Sequence, residues 1–227
     1  LKAESFISMI TDTFGRPLRD LRISVTDRCN FRCPYCMPAE IFGESYQFLP
    51  KDELLTFEET ARLARLFAQL GVNKIRLTGG EPLLRVDLHL LVGMLADIPE
   101  IDDFTLTTNG YLLPQQVQQL KDAGLQRITI SLDTLDDDIF KQMNGRGFGT
   151  QRVLLGIERA AAVGLSPIKI NAVVQKGVND HTVVDLARHF KGTGQIVRFI
   201  EYMDVGNRNG WKWDQVVPAA EIVSRID

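Results

Sequence analysis

Polar and apolar residues alternate along six short stretches of the chain: LRISVT (21–26), KIRLT (74–78), FTLTT (104–108), RITISL (127–132), IKINAVV (168–174) and VRFIEY (197–202). A period of two in segments rich in β-branched residues predicts strands. Between these stretches, apolar residues recur at helical spacing over roughly 57–70, 86–97, 113–123, 151–163 and 180–190. Gly71, Gly124 and Gly164 each follow such a run, where a helix C-terminus favours a left-handed residue. Strands that alternate with helices of this length predict βαβ units and a parallel sheet, an α/β fold. No long linker, solenoid-period repeat or low-complexity tract interrupts the series.

The alternation carries a second message. Buried parallel strands usually read as continuous apolar runs. In these, Leu21, Ile23 and Val25 oppose Arg22, Ser24 and Thr26, and Ile75 and Leu77 oppose Lys74, Arg76 and Thr78. Phe104 and Leu106 oppose Thr105 and Thr107; Ile128, Ile130 and Leu132 oppose Thr129, Ser131 and Asp133; Ile168 and Ile170 oppose Lys169 and Asn171. The crossover helices need the apolar faces. The polar faces then look into the lumen of a curved sheet, a wet space suited to a polar ligand. The alternative is an open sheet with one solvated face.

Composition narrows the classes. The chain has 227 residues, 44% hydrophobic and 24% charged, enough for one domain with a substantial core. A formal net charge of −3 argues against a broad basic surface, and so against nucleic acid as partner. No apolar run is long enough to span a membrane, and the first twenty residues lack a secretory pattern. The sequence starts at Leu1 and stops at VPAAEIVSRID, inside a helix begun at Pro218. A fragment is therefore expected: residues 1–20 an N-terminal extension, 21–204 the sheet-and-helix body, and 205–227 the start of a C-terminal segment.

All three cysteines lie within CNFRCPYC, at Cys29, Cys33 and Cys36. Three thiols cannot all pair with one another, and so tight a group points to a metal site in a reducing compartment. CxxxCxxC differs from the paired CxxC of zinc knuckles. Three thiolates suit a 4Fe–4S cluster, whose full set is four, and leave one iron open to a ligand from outside the protein. The competing reading is structural zinc completed by His89, His181 or His189, each within a helical pattern.

CNFRCPYC, with its aromatic residue before the last cysteine, and GGEP (79–82) after the second strand resemble the motifs of the radical SAM superfamily. That resemblance implies a partial (βα)6 TIM-like barrel. It also implies a 4Fe–4S cluster on Cys29, Cys33 and Cys36 and S-adenosylmethionine (SAM) on the open iron, cleaved reductively to a 5′-deoxyadenosyl radical. The residues of GGEP make sense in such a place. Gly79 and Gly80 allow close approach of backbone to a ligand, Glu81 can accept from an ammonium group, and Pro82 fixes the turn.

The resemblance sharpens along FGRPLRDLRISVTDRCNFRCPYCMP, KIRLTGGEPLLR, LTTNG, ITISLDTL and FIEYMDVG. These are similar to the MoaA-type GTP 3′,8-cyclase family of molybdenum cofactor biosynthesis, over about residues 12 to 210. The family reaction abstracts the ribose H3′ of GTP and joins C3′ to C8. By resemblance, Arg22, Arg76, Thr107 and Lys169 contact GTP, and Tyr35, Gly80, Ser131 and Met203 contact SAM. Arg22, Arg76 and Lys169 are also cations on the polar strand faces, where they need an anion or an internal partner such as Asp133 or Glu201. The family implies an electron donor and a downstream pterin-forming enzyme as partners, a cytoplasmic location, and leaves a homodimer open. It also carries a second 4Fe–4S cluster on a second cysteine triad, which these 227 residues lack. The expectation is SAM binding and cleavage with little cyclisation. The rivals are a radical SAM enzyme with another substrate and a non-catalytic zinc-stabilised binding module.

Three other features read blandly. NGRGFGT (144–150) lacks the order of a phosphate loop and is expected to be a flexible connection. Asp136–Asp138 reads as a solvated helix N-terminus. NRNGWKW (207–213), polar and aromatic beyond the sixth strand, reads as a lid or as a docking surface for a further C-terminal segment.

Overall fold

The computed structural model describes residues 10–206 and 209–227. Residues 1–9, half of the expected N-terminal extension, and 207–208, the start of NRNGWKW, lie outside the described residues. Six strands form one sheet: β1 (Asp20–Ser24), β2 (Lys74–Thr78), β3 (Asp103–Thr108), β4 (Arg127–Ser131), β5 (Ile168–Val174) and β6 (Ile196–Glu201). They pair in chain order and all in parallel, with β1 and β6 as the two edges. The helices are α1 (Phe57–Gln69), α2 (Leu88–Ala96), α3 (Leu113–Asp122), α4 (Asp137–Asn144), α5 (Gln151–Ala162), α6 (Val183–Phe190) and α7 (Ala219–Ile226). This is the six-unit α/β architecture that the alternation predicts. Among the described residues, no helix is long and apolar enough to cross a membrane.

The apolar strand faces go to the helices. Ile75, Leu77, Phe104, Leu106, Ile128, Ile130, Ile168 and Ile170 sit in one core with Leu91, Leu95, Leu113, Leu120 and Ile157 from α2, α3 and α5. At about 25 cal/mol for each Å² of apolar surface removed from water, this layer is the main source of stability. The opposite face is covered too at the middle of the sheet. Thr105 and Thr129 are buried, and Thr105 Oγ1 has no hydrogen-bond partner. A β-branched polar residue keeps the pleat filled while remaining wettable.

Local chemistry sets the ends. Thr56 and Glu59 form a reciprocal capping box at the start of α1. Asp136 caps α4, accepting from the N–H groups of Asp138 and Ile139, as the acidic run suggests. The first strand starts one residue earlier than expected and ends at Ser24 rather than Thr26. Val25 still donates to Thr78 O (3.0 Å), but Gly80 then donates to Thr26 O (2.7 Å), so the chain turns into a loop instead of pairing onward. That turn points the cysteine loop over the C-terminal ends of the strands.

Candidate active site

The cysteine loop is shaped by one buried cation. Arg32 donates from Nε to Phe42 O (2.6 Å) and from Nη1 to Cys29 O and Phe31 O (2.7 Å each). Three backbone carbonyls thus converge on a planar donor set, which only arginine provides. The amides of Cys36 and Met37 both donate to Cys33 O, closing a turn that brings the last two cysteines round one side. Beneath the loop, Phe31 packs against Tyr111, Phe140 and Phe148 with ring centroids 5.7–6.1 Å apart. Cys29 Sγ accepts from the Phe31 N–H (3.4 Å), with the Asn109 side-chain amide 3.9 Å away.

The support comes from a segment with a different expected role. NGRGFGT is not a slack connection. Asn144 is 1% exposed; its amide donates to Phe140 O and Phe148 O, and its Oδ1 accepts from the N–H groups of Arg146 and Phe148. The Arg32 N–H donates to Asn144 O (2.8 Å). Gly145 has φ +61°, and a Cβ there would come within 2.2 Å of Arg32 O. These residues clamp the cysteine loop onto the end of α4.

Opposite the cysteines stand two buried carboxylates. Glu81 is 1% exposed and accepts from Leu83 N–H, Thr108 Oγ1 and Asn109 N–H at 2.6–3.0 Å. Burial pushes its pKa up to about 7 against those donors. Asp133 accepts from Tyr35 Oη (2.6 Å) and Val173 N–H (2.9 Å), and burial raises its pKa to about 6. Burial, then the Asp133 charge, holds Tyr35 well above its ordinary value. Cys29, Cys33, Cys36, Tyr35, Gly80, Glu81, Thr107 and Ser131 line a single cavity of about 160 Å³.

Gly79 and Met203 do not line it. The close approach at GGEP is to the protein's own backbone: a Cβ on Gly80 would meet Arg28 O at 2.3 Å, and one on Gly79 would meet Thr26 O at 2.7 Å. Met203 is 52% exposed after β6, its carbonyl accepting from the Asn209 side chain.

The residues suit an iron–sulfur cluster. Three thiols face one cavity, N–H donors approach Cys29 Sγ, and burial raises the pKa of all three thiols, of Cys29 to about 11, so a metal is what would ionise them. Among the described residues, no three His, Cys, Asp or Glu side chains, the three cysteines included, are grouped closely enough to hold a metal ion as they stand, so the thiols would have to draw together around a metal of either kind. His89, His181 and His189 are not among the residues lining the cavity.

Below the cavity, the same strand faces carry cations. Arg22 and Arg76 are register partners on β1 and β2, and Lys169 pairs with Thr129 on β4. Arg76 Nε, Thr105 Oγ1 and Thr107 Oγ1 are buried without hydrogen-bond partners. Among the described residues, Arg22, Arg76 and Lys169 form no ion pair. The carboxylates expected to neutralise them are engaged elsewhere: Asp133 with Tyr35 and Val173, and Glu201 with the Ala219 N–H. Burial, then Arg22, Arg198 and Arg127, lowers the pKa of Arg76; burial, then Arg127 and Arg198, lowers that of Lys169. Arg127 and Arg198 therefore belong to the same group, and sequence reasoning passed over both. Arg127 has the parity of Thr129 and Ser131 and was legible by that rule. Arg198 lies on edge strand β6, where Asn171 Oδ1 receives its Nε and Nη2 (2.9 and 2.6 Å).

Comparison with known proteins places the chain in one superfamily. A family model for the Radical SAM superfamily matches residues 23–190. The GTP 3′,8-cyclase of Acidothermus cellulolyticus is 59% identical over 217 residues, covering 96% of this chain and 60% of that protein. The GTP 3′,8-cyclase of Staphylococcus saprophyticus is 53% identical over 221 residues, 97% of this chain and 65% of that protein. The chain thus spans 60–65% of the length of these curated relatives. Among solved structures, methylornithine synthase (PylB) superposes with a TM-score of 0.68 at 15% identity, over 92% of this chain and 62% of that one. Native anSMEcpe with bound AdoMet gives 0.67 at 17% identity, over 92% and 60%. At such identities the two structures speak for the fold alone.

Proposed function

This chain belongs to the radical SAM superfamily, and from that premise we propose that it forms the barrel of a GTP 3′,8-cyclase, with a cysteine-bound cluster at the mouth and GTP in the lumen. The observation that carries this reading is the half-buried Arg76, whose Nε is out of solvent and unpartnered, on the strand face that leads up to the cysteine cavity. A guanidinium nitrogen withdrawn from water without an acceptor is costly, and a phosphate chain is a ligand that a guanidinium fits in a bidentate manner. The identity of 52–59% to GTP 3′,8-cyclases supports the same substrate.

Cys29, Cys33 and Cys36 would hold three irons of a 4Fe–4S cluster. Reduced, such a cluster supplies the electron for cleavage of SAM and so for hydrogen abstraction from the ribose. The chain's own part is placement. Tyr35, Gly80, Glu81 and Ser131 would receive SAM on the cavity wall; Gly79 would act through backbone and Met203 from the rim. Arg22, Arg76, Thr107 and Lys169 would hold the nucleotide below. Glu81, occupied by three donors, ties the GGEP turn to the end of β3 and fixes the wall against which SAM would lie. The aromatic floor under Phe31 keeps water from the underside of the cluster loop. An electron donor, a second cluster outside these residues and a pterin-forming enzyme that takes the product complete the proposal.

The test is anaerobic reconstitution with iron and sulfide, reduction, and EPR with and without SAM. A 4Fe–4S signal that changes with SAM is expected, with release of 5′-deoxyadenosine. Replacing Arg76 and Lys169 together with Ala is expected to weaken GTP binding at least tenfold, about 1.4 kcal/mol, while the SAM-dependent change persists. Undiminished GTP affinity would assign the barrel to another substrate. Zinc without a cluster signal would remove the radical reading itself.

A further inference from the structure

The starts of the first four strands carry a row of alternating charge. The first residues of β1 to β4 are Asp20, Lys74, Asp103 and Arg127. Asp20 pairs with Lys74 in register, and Lys74 with Asp103. Lys74 Nζ lies 2.9 Å from Asp20 and 3.9 Å from Asp103. Arg127 donates through Nε and Nη2 to both oxygens of Asp103, a fork-to-fork pair. Its side chain is only 12% exposed. Four residues up the same strand face, about 13 Å at 3.3 Å per residue, stands Ser131 in the wall of the cysteine cavity. Arg127 therefore lies at the far end of the lumen, and its charge is felt by Arg76 and Lys169, which have no ion-pair partner.

From this geometry we propose that Asp103 is a specificity-determining counter-charge. It occupies Arg127, which a terminal phosphate would otherwise take, and so limits the depth and strength with which the lumen holds a polyphosphate. The inference rests on the reading of the lumen as a nucleoside-triphosphate site. A pair that only braced the sheet would have no reason to sit beside unpaired cations; the same two side chains on the outer surface would brace as well. The carboxylate holds its charge in this place. Burial opposes ionisation, but the hydrogen bonds and charge of Arg127, with Lys74 and Lys169, outweigh it and keep the Asp103 pKa below the ordinary carboxylate range.

Titration calorimetry on the intact chain, with GTP and with inorganic tripolyphosphate, tests this without any cluster. Asp103→Asn releases Arg127 and is expected to tighten tripolyphosphate roughly fivefold to tenfold and to steepen the dependence of binding on salt. Asp103→Asn with Arg127→Gln is expected to return within about twofold of wild type. Arg127→Gln alone, which leaves Asp103 bare beside the site and covers the case in which Asp103→Asn does not fold, is expected to weaken binding several-fold. A folded Asp103→Asn that binds no tighter, or an Arg127→Gln that binds unchanged, overturns the counter-charge while leaving the lumen as the phosphate site. A wild-type chain that binds neither GTP nor tripolyphosphate overturns the site, and the inference with it.

Discussion

Glu81 shows how much one side chain can carry. Its two oxygens receive three donors, one from the GGEP turn and two from the end of β3 and the residue after it, and the residue is 1% exposed. Removing it leaves buried N–H and O–H groups unpaired, each costing about 1–3 kcal/mol. Its ionisation gives a sign that can be measured in the chain without a cluster. The ordinary value is 4.5 and burial raises it to about 7, so between these values the folded chain holds a proton that the unfolded chain has lost. Stability from this group is greatest below pH 4.5 and falls as pH rises through 7, by up to about 3 kcal/mol. Asp133, raised to about 6, acts in the same direction over a narrower window. Urea unfolding at pH 5 and pH 7.5 is expected to show this decline in the wild type and less than half of it in Glu81→Gln. An unchanged decline would place the titration on another group. Glu81→Gln should also be the less stable protein at pH 5, because its amide nitrogen, unlike the hydroxyl oxygen of the protonated acid, cannot accept from the Asn109 N–H.

At the scale of elements, the loop after α4 separates two demands that a glycine can meet. Gly145 and Gly147 both have positive φ, +61° and +70°. Around Gly147 an added Cβ meets open space, whereas at Gly145 it collides with the backbone of the cysteine loop. Gly147→Ala is therefore expected to cost about 1 kcal/mol, the price of a left-handed alanine. Gly145→Ala should cost at least about twice as much and speed hydrogen exchange at the Arg32 amide, which donates to Asn144 O. Equal costs would show that conformation, not the approach of the two loops, decides both. This is also where sequence and structure diverge most. The strands and most helices were legible, because period-two and period-3.6 patterns are local. The cysteine triad and the inward cations were legible from spacing and parity. The clamp of Asn144 and Gly145 on Arg32 was not, since it joins residues more than a hundred positions apart and its glycines look like those of any loose connection. The same holds for Asp133, which alternation placed correctly on the polar face but whose partner, Tyr35, comes from the cysteine loop.

At the scale of the whole molecule, the chain has one large core and an annex. The main cluster runs continuously beneath β1 to β5, whereas Val174, Val183, Val217 and Ile222 form a small cluster of their own at the β6 side. Residues 215–226 attach there by few bonds. Lys176 donates to Gln215 O, Gln175 pairs with Val216 in an antiparallel bridge, and Ala219 donates to Glu201. Arg225 reaches Asp180 with a side chain 32% exposed. That partly exposed pair, with a further bond from Arg225 to Asp180 O (2.8 Å), and the apolar seat of Ile222, which is 3% exposed, together hold α7. Truncating Ile222 to Ala removes about 2–4 kcal/mol of local stability. If the annex opens independently of the sheet, this loss appears as faster exchange of the α7 amides, roughly thirtyfold to several hundredfold, while the amides of β2, β3 and β4 keep their protection. The lumen between those strands then keeps its affinity for tripolyphosphate, because its cations belong to the main body. Exchange that accelerates equally in α7 and in β3 would instead make the annex part of one cooperative unit, and the expected boundary near residue 205 would have no energetic meaning.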